Sequence, residues 1–368
     1  MKIGFVLLSN PANPIPSTRV AVLNMLPQLR EGGLEPDIVF SPERPSETPT
    51  LPDDLFDRVR AGGYDIVVFQ KVRGPDVTRL VGRLRAVGIR TAYMVCDLVD
   101  AEMAEITDAT LLVTEFLRSL YPARLADKLH VVHDGIEQPN AVQQDTPRTQ
   151  AHGSRRTPLH AVLVTSARLD SLPVLGTLPD WLQVTVVGRY APGQDILSRF
   201  NQARWTLSEQ SGLTRRLAFI RFLADRRIRC EAWNAEGVYE QLARADIGII
   251  PIDSTPWTAA VGTLPPTWMV KSENRLTLKM AVGLPVVATP IPAYEPVIRQ
   301  GINGFLATSR TQWLEALDVL RDPDTRRNIG QAARASVLQR YSQQEQARRL
   351  IEVFLQLGRR VGAPRPPT

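Results

Sequence analysis

Cysteine is scarce in this 368-residue chain. Cys96 and Cys230 stand far apart, with no CxxC pair and no Cys/His cluster, which excludes a disulfide framework and a structural zinc. Histidine is scarce too: His130, His133, His152 and His160 are thin material for a metal centre or a histidine-based triad. No apolar run approaches the roughly 20 residues that a membrane span needs. The opening stretch, MKIGFVLLSNPANP, has one lysine and an apolar run of about 6 residues, and reads as a first buried strand rather than a signal peptide. A cytoplasmic protein is expected.

Lysine occurs only at positions 2, 71, 128, 271 and 279, so the net charge of +6 is carried almost wholly by arginine. This balance suits anionic partners such as phosphates or an anionic membrane surface, and a plain compositional preference for arginine explains it equally well. Nothing but charge points to nucleic acid, and none is expected as a partner. No GxGxxG follows the first strand, which argues against a nicotinamide dehydrogenase.

The 43% hydrophobic content supports an ordinary globular core, and the length suits two domains of roughly 100–200 residues each. Over residues 1–140, apolar runs at Lys2–Leu8, Pro36–Phe40, Tyr64–Gln70, Thr91–Cys96, Ala109–Thr114 and His130–His133 read as strands. Helical patterns lie between them, at Ser17–Leu29 (kinked or ended early by Pro27), Asp76–Val87 and Glu115–Leu120. Residues 141–158 are polar, proline-bearing and aperiodic, a linker signature. Alternation restarts over 159–341. Strands are expected at Leu159–Val164, Val184–Val187, Arg227–Ala232, Ile247–Ile252 and Leu284–Ala288. Helices are expected at Leu213–Ala224, Gly237–Arg244, Ser272–Val282 and Arg310–Leu320. A last helix, within 342–361, is expected to pack back on the first domain, and 362–368 to be disordered. Repeated β-α units with apolar strands predict an α/β fold of two doubly wound, Rossmann-like domains facing across a cleft, with ligands at the carboxyl ends of the strands.

The densest chemistry is Lys271–Thr289, read as loop, helix, glycine turn and strand. Ser272 is the expected N-cap, and the exposed N–H groups of the first helical turn make an anion site. Lys271, Asn274 and Arg275 add donors suited to a pyrophosphate; a solvated, capped helix start is the plain alternative. Near the amino terminus, Ser17 is a candidate cap, with Thr18 and Arg19 facing a phosphate or an acceptor, or simply exposed. Lys71 and Asp97 directly follow strands and so point to the crevice. A carboxylate at Asp97 can hold or deprotonate a hydroxyl, while Asp100 in the same turn can serve as a helix cap. His133 is a candidate base or a hydrogen-bonded structural residue. Arg168 and Arg189 follow strands of the second half. The basic stretch Thr214–Arg229 is amphipathic: either it lies on anionic lipid, or it covers the core with its apolar face and leaves its arginines in water.

Several stretches together resemble a known family. They are Met280–Thr289 (MAVGLPVVAT), Pro292–Ile298 (PAYEPVI), Gly301–Leu306 (GINGFL), Arg244–Pro251 (RADIGIIP), Val186–Arg189 (VVGR), Pro16–Val20 (PSTRV), Leu23–Pro27 (LNMLP) and Val131–Glu137 (VVHDGIE). Their order and spacing are similar to those of GT-B glycosyltransferases of the family-4 type, including surface-polysaccharide transferases, over nearly the whole chain. The resemblance implies transfer of a sugar from a nucleoside-diphosphate donor to a hydroxyl acceptor (a glycan, a lipid-linked saccharide or a small molecule), with retention and without metal or cofactor. It also implies that Lys271, Arg275 and Arg168 or Arg189 neutralise the departing diphosphate. One departure stands out. The family's two glutamates, eight positions apart, fall here on Val270 and Leu278, so the ribose contact is assigned to Thr277, Glu295 or backbone, and Lys271, Asn274 and Arg275 to a substitute phosphate clamp. The rival readings are a GT-B epimerase or phosphorylase, and a non-catalytic sugar-nucleotide-binding partner in a glycan assembly complex.

Overall fold

The computed structural model describes residues 1–138, 150–165, 178–188, 212–235, 237–252, 254 and 264–359. The first half of the expected linker, 141–149, and the whole of the expected tail lie outside them. The chain divides into two compact units. The first comprises Met1–Glu137, Ala259–Ser272 and Tyr341–Thr368; the second comprises Gln138–Thr258 and Glu273–Arg340. The sequence reading has no counterpart for the return of Ala259–Ser272 to the first unit.

The first unit is built on a parallel sheet of β1 (Lys2–Val6), β2 (Glu35–Phe40), β3 (Ile66–Gln70), β4 (Arg90–Val95), β5 (Ala109–Leu112) and β6 (Leu129–Val131), in the order β2-β1-β3-β4-β5-β6. Alternate residues of β1 enter opposite cores. Val6 packs with Val67, Phe69 and Tyr93 on one face, and Ile3 and Phe5 with Ile66, Val68 and Ala92 on the other. Burial on both faces is why these strands read as unbroken apolar runs. The helix Gln343–Arg359 lays Leu350, Val353, Phe354 and Leu357 into the second of these cores. Val270, from the returning segment, is buried in the first.

The expected helix at Ser17–Leu29 forms as three pieces. A helical turn at Pro16–Thr18 runs into a π-helical stretch, Arg19–Leu23, and a new helix spans Leu26–Glu31. Pro27 sits in the first turn of that last piece, where its missing N–H costs nothing. Ser17 is therefore no cap: Ile15 holds that position, with no side-chain bond.

The second unit carries β7 (Leu159–Val164), β8 (Leu182–Gly188), β9 (Ile228–Ala232), β10 (Ile247–Ile250), β11 (Val286–Ala288) and β12 (Phe305–Leu306), ordered β12-β11-β10-β7-β8-β9. Counted from β7 this is the 3-2-1-4-5-6 order of dinucleotide-binding sheets, whose direction reverses between β7 and β10. In the first unit the reversal falls between β1 and β3. The helix Pro323–Leu338 comes close to the turn at Gly283, which has φ 75°. A Cβ on Gly330 would stand 2.3 Å from the Gly283 carbonyl oxygen, so only glycine permits this approach.

Candidate active site

At the reversal point of the first sheet, polar side chains bind one another. Gln70, the last residue of β3, accepts through Oε1 from the backbone N–H of Leu8 (3.0 Å) and from the Thr18 hydroxyl (3.0 Å). Thr18 in turn accepts from Ser9 (2.9 Å). Thr18 is thus fully buried in a hydroxyl–amide network that joins β1 to β3, and its expected phosphate contact is replaced by a structural one. Arg19 grips Glu137 with two bonds of 2.8 and 3.1 Å, and Asn24 donates to the same carboxylate (2.7 Å).

Lys71 follows Gln70 in a left-handed backbone conformation (φ 57°), rare for a side chain of this size. Its ammonium is buried and donates to Asp97 Oδ1 (2.6 Å), with Glu47 at 4.0 Å. Asp97 also accepts from Lys271 at Oδ2 (3.3 Å) and from the Cys96 thiol (3.5 Å). Burial alone would raise the Asp97 carboxyl, but the two ammonium groups outweigh it and hold it below its ordinary value. Burial works to lower Lys71. The negative charge of a Cys96 thiolate at the high pH where lysine titrates, and of Asp97 and Glu47, outweighs it and holds Lys71 above its ordinary value. Burial, then the Asp97 charge, push the Cys96 thiol well up, so it is a neutral donor at pH 7. A carboxylate stabilised in this way is a weak base and a good hydrogen-bond acceptor. Asp100 caps the helix Ala101–Ile106 through Met103 N–H (2.9 Å).

His133 is buried. Its backbone N–H donates to Gln346 Oε1 (2.9 Å), its Nδ1 lies 2.9 Å from the Val113 carbonyl, and its ring meets Tyr341 edge-on. Those contacts assign it to holding the loop after β6. Ser272 donates to Asp134 (2.6 Å). The expected cap is thereby spent elsewhere: the helix begins at Asn274, with Glu273 in the cap position and no side-chain cap bond.

In the second unit that helix, Asn274–Ala281, follows β10 at the carboxyl edge of its sheet. Asn274 and Arg275 are half-buried at its start. Glu273 is buried beside them, and both Glu273 and Arg275 act on the phenol of buried Tyr294. Burial first, and Glu273 next, push that phenol up to about 12 against the opposing Arg275 charge. Thr277 is fully buried with its hydroxyl on the Asn274 carbonyl (3.3 Å), which removes it as a ribose ligand. Glu295 is exposed. Leu278 packs against the core of Val162, Leu242 and Leu284, an apolar use of a position where the resembled family has glutamate. Arg168 and Arg189 lie outside the described residues. Among the described residues no group of three or more His, Cys, Asp and Glu is gathered as a metal site, and no helix is long and apolar enough to cross a membrane.

Sequence reasoning passed over Gln70 and Glu273. Gln70 ends a strand at the reversal point, which was a usable signal. Glu273 is out of phase with the two glutamate positions, Val270 and Leu278, and so carries no signal in the sequence pattern.

Fold and motifs together define an α/β protein with the two Rossmann-like units of the GT-B architecture. Residues 264–352 match the family model described as glycosyl transferase-like. Three solved structures share the architecture over nearly their full lengths. A glycosyltransferase from Rickettsia africae has a TM-score of 0.65 at 12% identity and covers 97% of this chain and 98% of its own. HepE of Anabaena, in complex with UDP and glucose, has 0.60 at 13%, covering 96% and 99%. Sucrose-phosphate synthase from Thermosynechococcus elongatus has 0.65 at 15%, covering 97% and 98%. No protein of curated function matches the sequence. The glycosyltransferase-type enzyme read from the motifs is upheld by the family match over residues 264–352, and the neighbours share its fold.

Proposed function

We propose that the chain transfers a sugar from a nucleoside-diphosphate sugar to a hydroxyl acceptor. The observation that carries this reading is the helix start Glu273–Arg275, set within the stretch that matches the glycosyl transferase-like model. Its first-turn N–H groups, Asn274 and Arg275 form a donor-rich corner at a carboxyl strand edge, the arrangement that binds phosphate oxygens. As the bond to the sugar breaks, charge grows on the departing diphosphate, and fixed donors there lower the barrier. Lys271, four positions ahead of Arg275, keeps its assignment as a diphosphate ligand, with Asp97 as the competitor for its ammonium. Arg168 and Arg189 are assigned to the same role from their places after β7 and β8. UDP is the first nucleotide to test, since the HepE neighbour was solved with it.

On the acceptor side, Asp97 orients a hydroxyl as an acceptor of its hydrogen bond, because two ammonium groups make it too weak a base to remove a proton. This fits a retaining, metal-independent transfer, in which the departing diphosphate itself takes the hydroxyl proton. The division into donor-binding and acceptor-binding domains, a cytoplasmic location and contact with an anionic membrane belong to the same proposal. A second reading, a non-catalytic sugar-nucleotide-binding partner, draws on Val270 and Leu278 standing packed where the family has glutamates.

The test is a thermal-shift screen of the full chain against a panel of nucleotide-sugars, followed by transfer assays with the hits. Stabilisation by one donor and product formation with an alcohol acceptor support the transferase. Stabilisation without transfer across a broad acceptor panel moves the assignment to the binding partner. Turnover of donor alone moves it to an epimerase, and phosphate dependence to a phosphorylase.

A further inference from the structure

The helix Leu213–Ala224 of the second unit presents apolar side chains on two sides. Phe219 is 1% exposed and sits in the core with Leu182, Val184 and Trp313. Leu213, Leu217 and Ile220 are instead 74%, 46% and 37% exposed. Their spacing of four and three residues lines them up along one side of the helix. Single exposed leucines need no explanation, but a three-residue stripe on one helix side does. Exposed Arg216 and Arg221 fall to either side of that stripe, and exposed Arg226 lies in the turn that follows. The acidic residue in that turn, Asp225, is held by Arg227 through bonds of 2.7 and 3.0 Å. Trp233, directly after β9, adds a partly exposed indole.

We propose that this side of the helix docks the protein on an anionic phospholipid surface. An apolar stripe between arginines lets leucine and isoleucine enter the acyl boundary while the guanidinium groups remain among lipid phosphates. Charge complementarity selects a bilayer over a second copy of this chain, because two copies of the helix would bring arginine against arginine. The sequence expectation gave the helix one apolar side, turned either to anionic lipid or to the core. The structure shows two, Phe219 in the core and a separate stripe between the arginines. This proposal locates the membrane contact named above and depends on no particular donor or acceptor.

The experiment is co-sedimentation of the full chain with vesicles of mixed phosphatidylglycerol and phosphatidylcholine, against vesicles of phosphatidylcholine alone. The parent chain is expected to partition to the anionic vesicles and not to the zwitterionic ones. The double variant Leu217→Glu/Ile220→Glu should lose at least about tenfold in partitioning. Arg216→Ser/Arg221→Ser should lose the preference for anionic lipid. All four side chains are exposed, so the melting temperature and the shift produced by a nucleotide-sugar should match the parent's, which separates a failed docking surface from a failed transferase reading. Absence of parent binding to anionic vesicles overturns the proposal, as does equal binding by the leucine–isoleucine variant. Concentration-dependent self-association that the same variant abolishes, without vesicle binding, also overturns it.

Discussion

In the first unit the charged and polar groups near the carboxyl strand ends are bound to one another: Lys71 and Lys271 to Asp97, Arg19 to Glu137, Ser272 to Asp134. In the second unit the corresponding region is a helix start whose cap residue makes no side-chain cap bond, with Asn274 and Arg275 half-buried beside it. A network that satisfies itself gives rigidity and an acceptor for hydroxyls. A helix start carries the positive end of its dipole, which gives a place for an anion. Residue types alone place both regions in one phosphate-binding class; the local structure each belongs to, strand ends in one and a helix start in the other, separates them.

The contrast can be broken most forcefully at Asp97. Asp97→Asn leaves the buried Lys71 ammonium without its carboxylate and should destabilise the protein by about 1–3 kcal/mol, discounted because Asp97 is partly exposed. The same pair has a pH signature. Because the Asp97 carboxyl titrates below its unfolded value, its contribution is present at neutral pH and is lost as pH falls through the folded-state value. Acid melting curves of the parent and the Asp97→Asn variant should therefore converge at low pH; curves that stay parallel would show that the pair contributes nothing.

Lys279 sharpens the comparison from the second unit. It is fully buried, with its ammonium on the Arg275 carbonyl (3.2 Å), and burial, then Arg275, lower it to about 7. An unfolded lysine titrates near 10.4, so between roughly pH 7 and 10 the unfolded chain binds the extra proton and stability rises with pH. Lys279→Met should stabilise the protein by about 1–2 kcal/mol at pH 7 and flatten that rise. Denaturant melts at several pH values read both effects, and an unchanged slope would place the titrating group elsewhere.

Smaller effects are expected at Lys271 and Thr277. Lys271→Ala should weaken UDP binding by about threefold to tenfold, since its ammonium is shared with Asp97 and partly exposed. Lys128 is a poor control, because its ammonium caps the carbonyls of Glu105 and Thr107. Exposed Arg60 serves instead. Least of all, Thr277→Val should leave UDP affinity within about twofold, as its hydroxyl serves only the helix backbone. A tenfold loss there would restore Thr277 as a ribose ligand.

Much of the fold was legible because both-face burial turns parallel strands into apolar runs: β3 (IVVFQ) and β4 (RTAYMV) are buried throughout. The helix Pro323–Leu338 went unread. Its buried side is Arg326, Ile329, Gly330, Ala333 and Val337, too small and polar to make a stripe, although Asp322 capping Thr325 N–H and Pro323 in the first turn were readable signals. The site was legible at the level of strand ends and a helix start. Its pairings were not, because Asp97 and Lys271 are 174 positions apart and no local pattern encodes such a contact. Lys279 reads as a surface lysine for the same reason: its burial comes from packing against Gly248, not from its own helix.

The central claim is that the helix start Glu273–Arg275 binds the donor's diphosphate. Calorimetric titration of UDP into the parent chain, Arg275→Ala and Arg60→Ala, each checked for an unchanged melting temperature, tests it directly. The expected result is a Kd at least about tenfold weaker for Arg275→Ala and the parent value for Arg60→Ala. Equal affinity in all three proteins would contradict it.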